Sequence, residues 1–335
     1  MKRPAISAAI IAKDEADQLP ECLQCLTGWI DEIFLLDTGS RDGTPVIARQ
    51  YGARIGHFVW NDDFAAARNA AIEACTGDWI FVIDADERIE AADAPAIRAL
   101  ADGPRNRGYR FVTRNYTNQS NLAGFVFCAA GDPLARGFAG WHPSVKVRLF
   151  PNGIGARFEG RVHELVNRSL EAQGIEAVLC DILIHHYPFA RSPERIRAKQ
   201  EMYLRLGLEK VAESPDDPNA HAELGHQYAE LGDYPRAAQA YRQAVALAPS
   251  NAVLLKDLGS ALYLMRRGDE ARRAFDLAVK IDPGLADAWR NLGVLHAGAK
   301  EWDRALACFE RAFACDPAWA EGPRYIQTAR DTLQM

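Results

Sequence analysis

Three strand-like segments of the chain end in carboxylates. Lys13-Asp14-Glu15 follows the apolar run Ile6–Ala12, Asp37 closes Glu32–Asp37, and Asp84-Ala85-Asp86-Glu87 closes the run 79–83. Acids gathered at one edge repel unless a cation or a donor-rich ligand lies among them. An Asp-x-Asp pair at a strand end suits Mg²⁺ or Mn²⁺, hard cations that take one or two carboxylates and fill their shell with water and phosphate oxygens. The same triplet also serves as turn and helix-cap chemistry, so alone it leaves both readings open.

These acids reach one edge only if the chain between them folds as strand, helix, strand. Residues 16–29 have helical spacing, Thr38-Gly-Ser-Arg-Asp-Gly43 turns into a helix over 44–51, a short strand is expected near 54–59, 64–75 is helical and 78–84 is another buried strand. Strands that are apolar throughout and separated by helices predict a mostly parallel, Rossmann-like α/β sheet covered on both faces. In such sheets ligands bind beyond the carboxyl ends of the strands, which is where the acids fall.

The 335 residues are enough for about two domains at roughly 150 residues each. Hydrophobic residues make up 48% and charged residues 25%, which excludes a wholly disordered or collagen-like chain. Thirty-nine basic against 45 acidic residues give a net charge of −6 with no long basic run, so neither nucleic acid nor a polybasic membrane anchor is expected. Seven scattered cysteines do not form the dense framework of a small secreted domain, and a reducing cytoplasm fits them. Cys22-x-x-Cys25 lacks the further ligands of a zinc site and shares a helical apolar stripe with Leu19, Leu23 and Leu26, so it reads as core. The apolar run 5–12 is short and stops at Lys13-Asp14-Glu15 without a small-residue cleavage site, unlike a signal peptide. No stretch approaches the roughly 18 to 20 apolar residues of a membrane span.

The C-terminal part repeats. Gly225, Gly259 and Gly293 stand 34 residues apart, as do Ala237, Ala271 and Ala305, then Tyr241, Phe275 and Phe309, then Pro249, Pro283 and Pro317. Each unit reads as two amphipathic helices with small residues at the close approach, an aromatic filling the gap and a proline ending the second helix. This pattern resembles the tetratricopeptide repeat. A helix over 193–213 is expected to cap the stack as a half-repeat, with 319–333 capping the other end. The resemblance implies a concave groove that holds peptides, in some members along an asparagine ladder. The equivalent positions here are Glu223, Asp257 and Asn291, so a backbone-clamping ladder is not expected. A dimerisation surface or a scaffold for the first domain remains open beside partner or acceptor binding.

The first half also resembles a known family. Ile10-Ile-Ala-Lys-Asp-Glu15, Asp31-Glu32 leading to Leu36-Asp37-Thr-Gly-Ser-Arg-Asp-Gly-Thr44, Asn61-Asp-Asp-Phe64 with Ala67-Arg68-Asn69, and Gly77-Asp-Trp-Ile-Phe-Val-Ile-Asp-Ala-Asp-Glu87 resemble the family 2 nucleotide-sugar glycosyltransferases of GT-A fold. The likeness is strongest to the bacterial branch that carries tetratricopeptide repeats or acts on lipopolysaccharide core. One departure is Asp14, where the family more often has asparagine. The resemblance implies that Glu15 and Asp37 contact the base or ribose, and that Arg68 lies near the base or diphosphate. It implies too that Asp84 approaches the ribose or a metal-bound water and that Asp86 ligates Mn²⁺ or Mg²⁺. The bland alternatives are a helix cap for Asp37 or Asp42, preferred for Asp42, a surface ion pair for Arg68 and a solvated helix-start acid for Glu87.

The segment 110–190 completes the site more loosely, with strand-like pieces at 109–113, 145–150 and 178–185 and a Gly- and Ala-rich loop between Asn121 and Gly140. An inverting transfer, itself implied by the resemblance alone, needs a base to take the acceptor proton. Glu164 is the candidate base, with His163 beside it. His186, favoured over His185, is the candidate third metal ligand or diphosphate contact, against a packed, hydrogen-bonded histidine. Arg148 is either a diphosphate brace or a structural ion pair.

The reading is therefore a GT-A-like domain over 1–190, a linking and capping helix over 191–217, and about three tetratricopeptide repeats with a cap helix over 218–335. Its expected activity is metal-dependent transfer of a sugar from a nucleotide-diphosphate sugar, a UDP-sugar foremost, to a protein, peptide, glycan or glycolipid. The expected location is the cytoplasm or the periphery of the inner membrane. Two rivals are an inactive scaffold that recruits a partner through its repeats and a nucleotidyltransferase. The second lacks the glycine-rich phosphate loop, since Ala12-Lys-Asp-Glu-Ala-Asp17 has no glycine.

Overall fold

The computed structural model describes residues 3–119, 125–162, 164–188, 193–317, 319 and 321–334. The chain divides into two compact units, Met1–Ser192 and Pro193–Met335.

In the first unit β1 (Ile6–Ala12), α1 (Leu19–Leu26), β2 (Glu32–Asp37), α2 (Thr44–Gln50), β3 (Arg54–His57), α3 (Phe64–Ala74) and β4 (Trp79–Val82) alternate as expected. Then come β5 (Glu87–Arg88), α4 (Ala94–Ala101), β6 (Arg107–Thr117), β7 (Val126–Phe127), β8 (Gly140–Pro151), α5 (Asn167–Ala172) and β9 (Glu176–His186). The strands form one nine-stranded sheet in the order β3-β2-β1-β4-β8-β6-β9-β5, with β7 beside β8.

Strands β3, β2, β1 and β4 are mutually parallel. Their side chains alternate between two cores, as a period of two requires. Ile6, Ala8, Ile10, Trp79 and Phe81 pack with Leu19, Leu23 and Leu26 of α1 and Ile97 of α4. Ala9, Phe34, Leu36, Ile80 and Val82 pack with Ala67, Ala71 and Ile72 of α3. Both faces are therefore covered, and only the strand ends remain for a ligand.

Beyond β4 the sheet turns antiparallel: β8 runs against β4 and β6, and β6 pairs in parallel with β9. The last strand of the order returns to the site, because β5 follows directly on the Asp-x-Asp turn and pairs Glu87 with His186 and Arg88 with His185.

The second unit begins with α6 (Pro193–Glu213), followed by α7 (Pro218–Glu230), α8 (Tyr234–Leu247), α9 (Ala252–Leu264), α10 (Gly268–Ile281), α11 (Ala286–Gly298), α12 (Trp302–Cys315) and α13 (Gly322–Leu333). Leu204 and Val211 of α6 pack onto the core formed by α7 to α12. The repeated glycines mark the closest helix approach: a Cβ at Gly225, Gly259 or Gly293 would come within 2.7, 2.6 and 2.5 Å of the rings of Tyr241, Phe275 and Phe309. The ladder positions are engaged within their own unit. Glu223 pairs with Lys210 at 2.8 Å, Asp257 pairs with Lys256 and lies 3.5 Å from His226 Nε2, and Asn291 lies 3.4 Å from Ser260 Oγ.

Glu32 ties β1, β2, β3 and the approach to β4 together. It accepts hydrogen bonds from Ser7 Oγ, from the Thr76 amide at 2.7 Å and from Arg54 Nη2 at 2.6 Å. Burial pushes its carboxyl up, but these donors outweigh burial and hold it down at about 2. A carboxyl depressed in the folded state stabilises above its unfolded pKa and loses that contribution as pH falls through the folded value. Glu32→Gln is therefore expected to cost about 2 kcal/mol at pH 7 and little near pH 2. Amide hydrogen exchange of β1 and β2 peptides at the two pH values checks this.

Candidate active site

The loops after β1 and β2 are laced to each other. Asp14 adopts a left-handed backbone with φ 55°, a conformation that asparagine and aspartate accept most readily among non-glycine residues. That explains why Asp can replace Asn here. The Asp14 amide donates to Ser40 Oγ at 2.9 Å, and the Arg41 amide donates back to Asp14 Oδ1 at 2.6 Å. Glu15 is buried, with its amide donating to Thr44 Oγ1 at 2.7 Å. Asp37 is also buried; its Oδ1 accepts from the Ser40 amide at 3.1 Å, and His57 Nδ1 lies 3.6 Å from Oδ2. Asp42 precedes the Gly43 N-cap of α2, which no side chain caps; it accepts from the Thr44 amide at 2.9 Å and the Ala16 amide at 3.1 Å and so ties the turn to the loop after β1.

A chain of charges crosses the end of β4. Arg68 reaches from α3 with Nη2 2.6 Å from Asp84 Oδ1 and Nε 2.8 Å from Glu164 Oε1. Arg148 of β8 pairs with Glu87 and lies 3.9 Å from Asp84 Oδ2, while the Asp84 amide donates to Glu87 Oε2 at 2.9 Å. Arg68 is only 7% exposed, Arg148 2% and Glu87 1%. Burial would raise the Asp84 carboxyl, but Arg68, Arg148 and Lys146 together hold it well below the usual carboxylate range. Arg68 is held above the ordinary arginine value: burial opposes its charge, and Asp84 and Glu164 overcome that.

Glu164 is brought to Arg68 by a hairpin fastened to α3. Asn69 donates to the Phe158 carbonyl at 3.0 Å and accepts from the Phe158 amide at 2.8 Å, and Glu159 and Leu165 exchange backbone hydrogen bonds. His163 lies outside the described residues. Arg68, Lys146, Arg148, Phe158, Glu164 and Asn167 line a small open cleft.

The two neighbouring histidines have different surroundings. His185 is fully buried, accepts or donates at Nδ1 to Tyr116 Oη at 2.9 Å and stacks on that ring, so it is a packed residue. His186 is partly exposed, with Nε2 3.4 Å from Asp86 Oδ2 and Nδ1 2.7 Å from Asn115 Oδ1. Among the described residues no group of three or more His, Cys, Asp or Glu side chains converges as a complete metal cage. Asp86 and His186 offer two donors side by side, which fits Mn²⁺ or Mg²⁺ if water and phosphate oxygens fill the rest of the shell.

The solvated reading of Glu87 is overturned by its burial against Arg148. Asn115 was not anticipated, since a lone asparagine inside a strand carries no spacing signal. Glu15, Asp37, Arg68, Asp84 and Asp86 all belong to the strand end, loops and helix start at the carboxyl edge of the parallel strands.

Residues 7–122 match the family described as glycosyl transferase family 2, and 222–286 and 286–319 match tetratricopeptide repeats. The chain carries a family 2 glycosyltransferase domain followed by tetratricopeptide repeats. It is 36% identical over 68% of its length to a TPR repeat-containing protein of Synechococcus elongatus, covering 53% of that relative. It is 26% identical over 64% of its length to the SPbeta prophage-derived glycosyltransferase SunS of Bacillus subtilis, covering 47% of it. It is also 32% identical over 33% of its length to the lipopolysaccharide core biosynthesis glycosyltransferase LpsC of Rhizobium meliloti, covering 43% of it. The chain thus spans about half the length of the relatives it matches. No helix among the described residues is long and apolar enough to cross a membrane.

Within the glycosyltransferase domain, removing one partner of a buried ion pair strands the other. Arg148→Met is expected to destabilise the domain by about 3–5 kcal/mol, and adding Glu87→Gln to recover most of that. Urea unfolding of the single and double variants checks the recovery.

Proposed function

We propose that the first unit transfers a sugar from a nucleotide-diphosphate sugar, a UDP-sugar foremost, to a protein, peptide, glycan or glycolipid acceptor, with inversion and with Mn²⁺ or Mg²⁺ bound. The observation that carries this reading is that the family 2 match, 7–122, encloses Glu15, Asp37, Arg68, Asp84 and Asp86 at the strand edge where sheets of this kind take ligands. Glu15 and Asp37 receive the base and ribose. Asp86 and His186 hold the cation, which when bound supplies positive charge for the departing diphosphate. Asp84, held ionised by Arg68 and Arg148, faces the ribose and water beside that cation. Arg148 acts through Asp84 and Glu87, being too buried to meet the diphosphate itself.

Glu164 takes the acceptor proton. Its contact with Arg68, 2.8 Å from Nε to Oε1, holds the carboxylate at the edge of the cleft, and a positioned carboxylate is a group able to take a proton. The protein works in the cytoplasm or at the periphery of the inner membrane, and the repeats bind acceptor or partner. A second reading, an adaptor acting through its repeats, is favoured by one observation: the Synechococcus elongatus relative is named for its repeats alone.

Calorimetric titration with UDP, GDP, CDP and dTDP, each with and without Mn²⁺, separates the two readings. One nucleotide is expected to bind in a Mn²⁺-dependent way, with binding lost in Asp86→Asn; folded protein that binds none supports the adaptor. Once the donor is known, Glu164→Gln is expected to lower kcat by about 10²- to 10⁴-fold with donor affinity unchanged. Turnover within a few-fold of wild type removes Glu164 as the base.

A further inference from the structure

Asn115 lies in β6 with His142 of β8 and His186 of β9 as its register partners on either side. Its side chain is buried, with Nδ2 3.0 Å from the His142 carbonyl oxygen, 3.1 Å from Ser144 Oγ and 3.4 Å from the Thr113 carbonyl oxygen. Oδ1 lies 2.7 Å from His186 Nδ1. Turning the amide over would set Oδ1 against two carbonyl oxygens, so these contacts fix which end faces the histidine. An amide oxygen only accepts, and His186 therefore donates from Nδ1. In the neutral ring the Nε2 electron pair is then left on the side of Asp86, whose Oδ2 is 3.4 Å away. An imidazole nitrogen and a carboxylate oxygen facing one space are a donor pair that Mn²⁺ accepts. Neighbouring donors of a six-coordinate ion bound at about 2.1 Å lie about 3 Å apart, close to the separation found here.

We propose, resting on the metal-dependent reading above, that Asn115 is a positioning residue: it fixes the tautomer and ring orientation of His186 so that Nε2 and Asp86 together form a two-donor site for a divalent cation. His185 makes the contrast. Its ring is stacked on and hydrogen-bonded to Tyr116, inside the protein and away from this pair.

Two measurements on the full chain test this. Histidine-selective ¹⁵N NMR of the metal-free protein at pH 8, with the His186 signal assigned by its loss in His186→Gln, is expected to show the Nδ1–H tautomer. An Nε2–H tautomer overturns the proposal without recourse to any Asn115 variant. Mn²⁺ titrations followed by the electron paramagnetic resonance of free Mn²⁺, with and without UDP, are expected to show about 10- to 100-fold weaker binding in Asn115→Ala and Asn115→Leu with unchanged circular dichroism. Wild-type protein that holds no Mn²⁺ overturns the metal reading itself. Wild-type binding matched within twofold by both folded variants overturns the role of Asn115 and leaves the metal reading standing.

Discussion

Arg68, Arg148 and Glu87 are almost wholly removed from water, and an unpaired charge in that position costs several kcal/mol. They are tolerable only because Asp84 and Glu164 complete an alternating chain of opposite charges with them. The pairing draws on α3, the turn between β4 and β5, β8 and the hairpin before α5. None of these pieces can shift by much without stranding a charge. The carboxyl edge of the sheet is thus held by electrostatics where the two apolar cores end.

A division of labour between the two aspartates of the turn follows. Asp84 spends its carboxylate on Arg68 and the neighbourhood of Arg148, while Asp86, two residues on, lies beside His186. The short β5 makes this possible, since pairing Glu87 with His186 carries the turn across to the last long strand. The antiparallel half of the sheet therefore contributes to the candidate site: β9 carries His186, β6 carries Asn115, and β8 carries Arg148.

Local patterning made the first half legible. β1 and β2 run over the residues expected, Ile6–Ala12 and Glu32–Asp37, because each is apolar throughout and bounded by polar turns. Helix ends were less legible; α1 covers Leu19–Leu26 within the expected 16–29, since Gln18 and Leu19 first close a turn on the Glu15 carbonyl. The repeats were legible because a 34-residue spacing puts each glycine under the aromatic of its own pair, which the structure shows at Gly225, Gly259 and Gly293. The pairing of β6 with β9, and the burial of Glu87 against Arg148, join residues some 60 or more positions apart, and no local period encodes such contacts. Helix α4 is not legible in the sequence, being only eight residues long with no side-chain cap at its start.

We propose that the ion-pair chain reserves Asp84 and leaves Asp86 with His186 to meet the cation. A crystal structure of the full chain with Mn²⁺ and UDP, read by the anomalous signal of manganese, tests it most directly. The account predicts one manganese peak between Asp86 and His186, with Asp84 still on Arg68. Manganese bound by Asp84 with the Arg68 pair broken, or bound away from this edge, would contradict it.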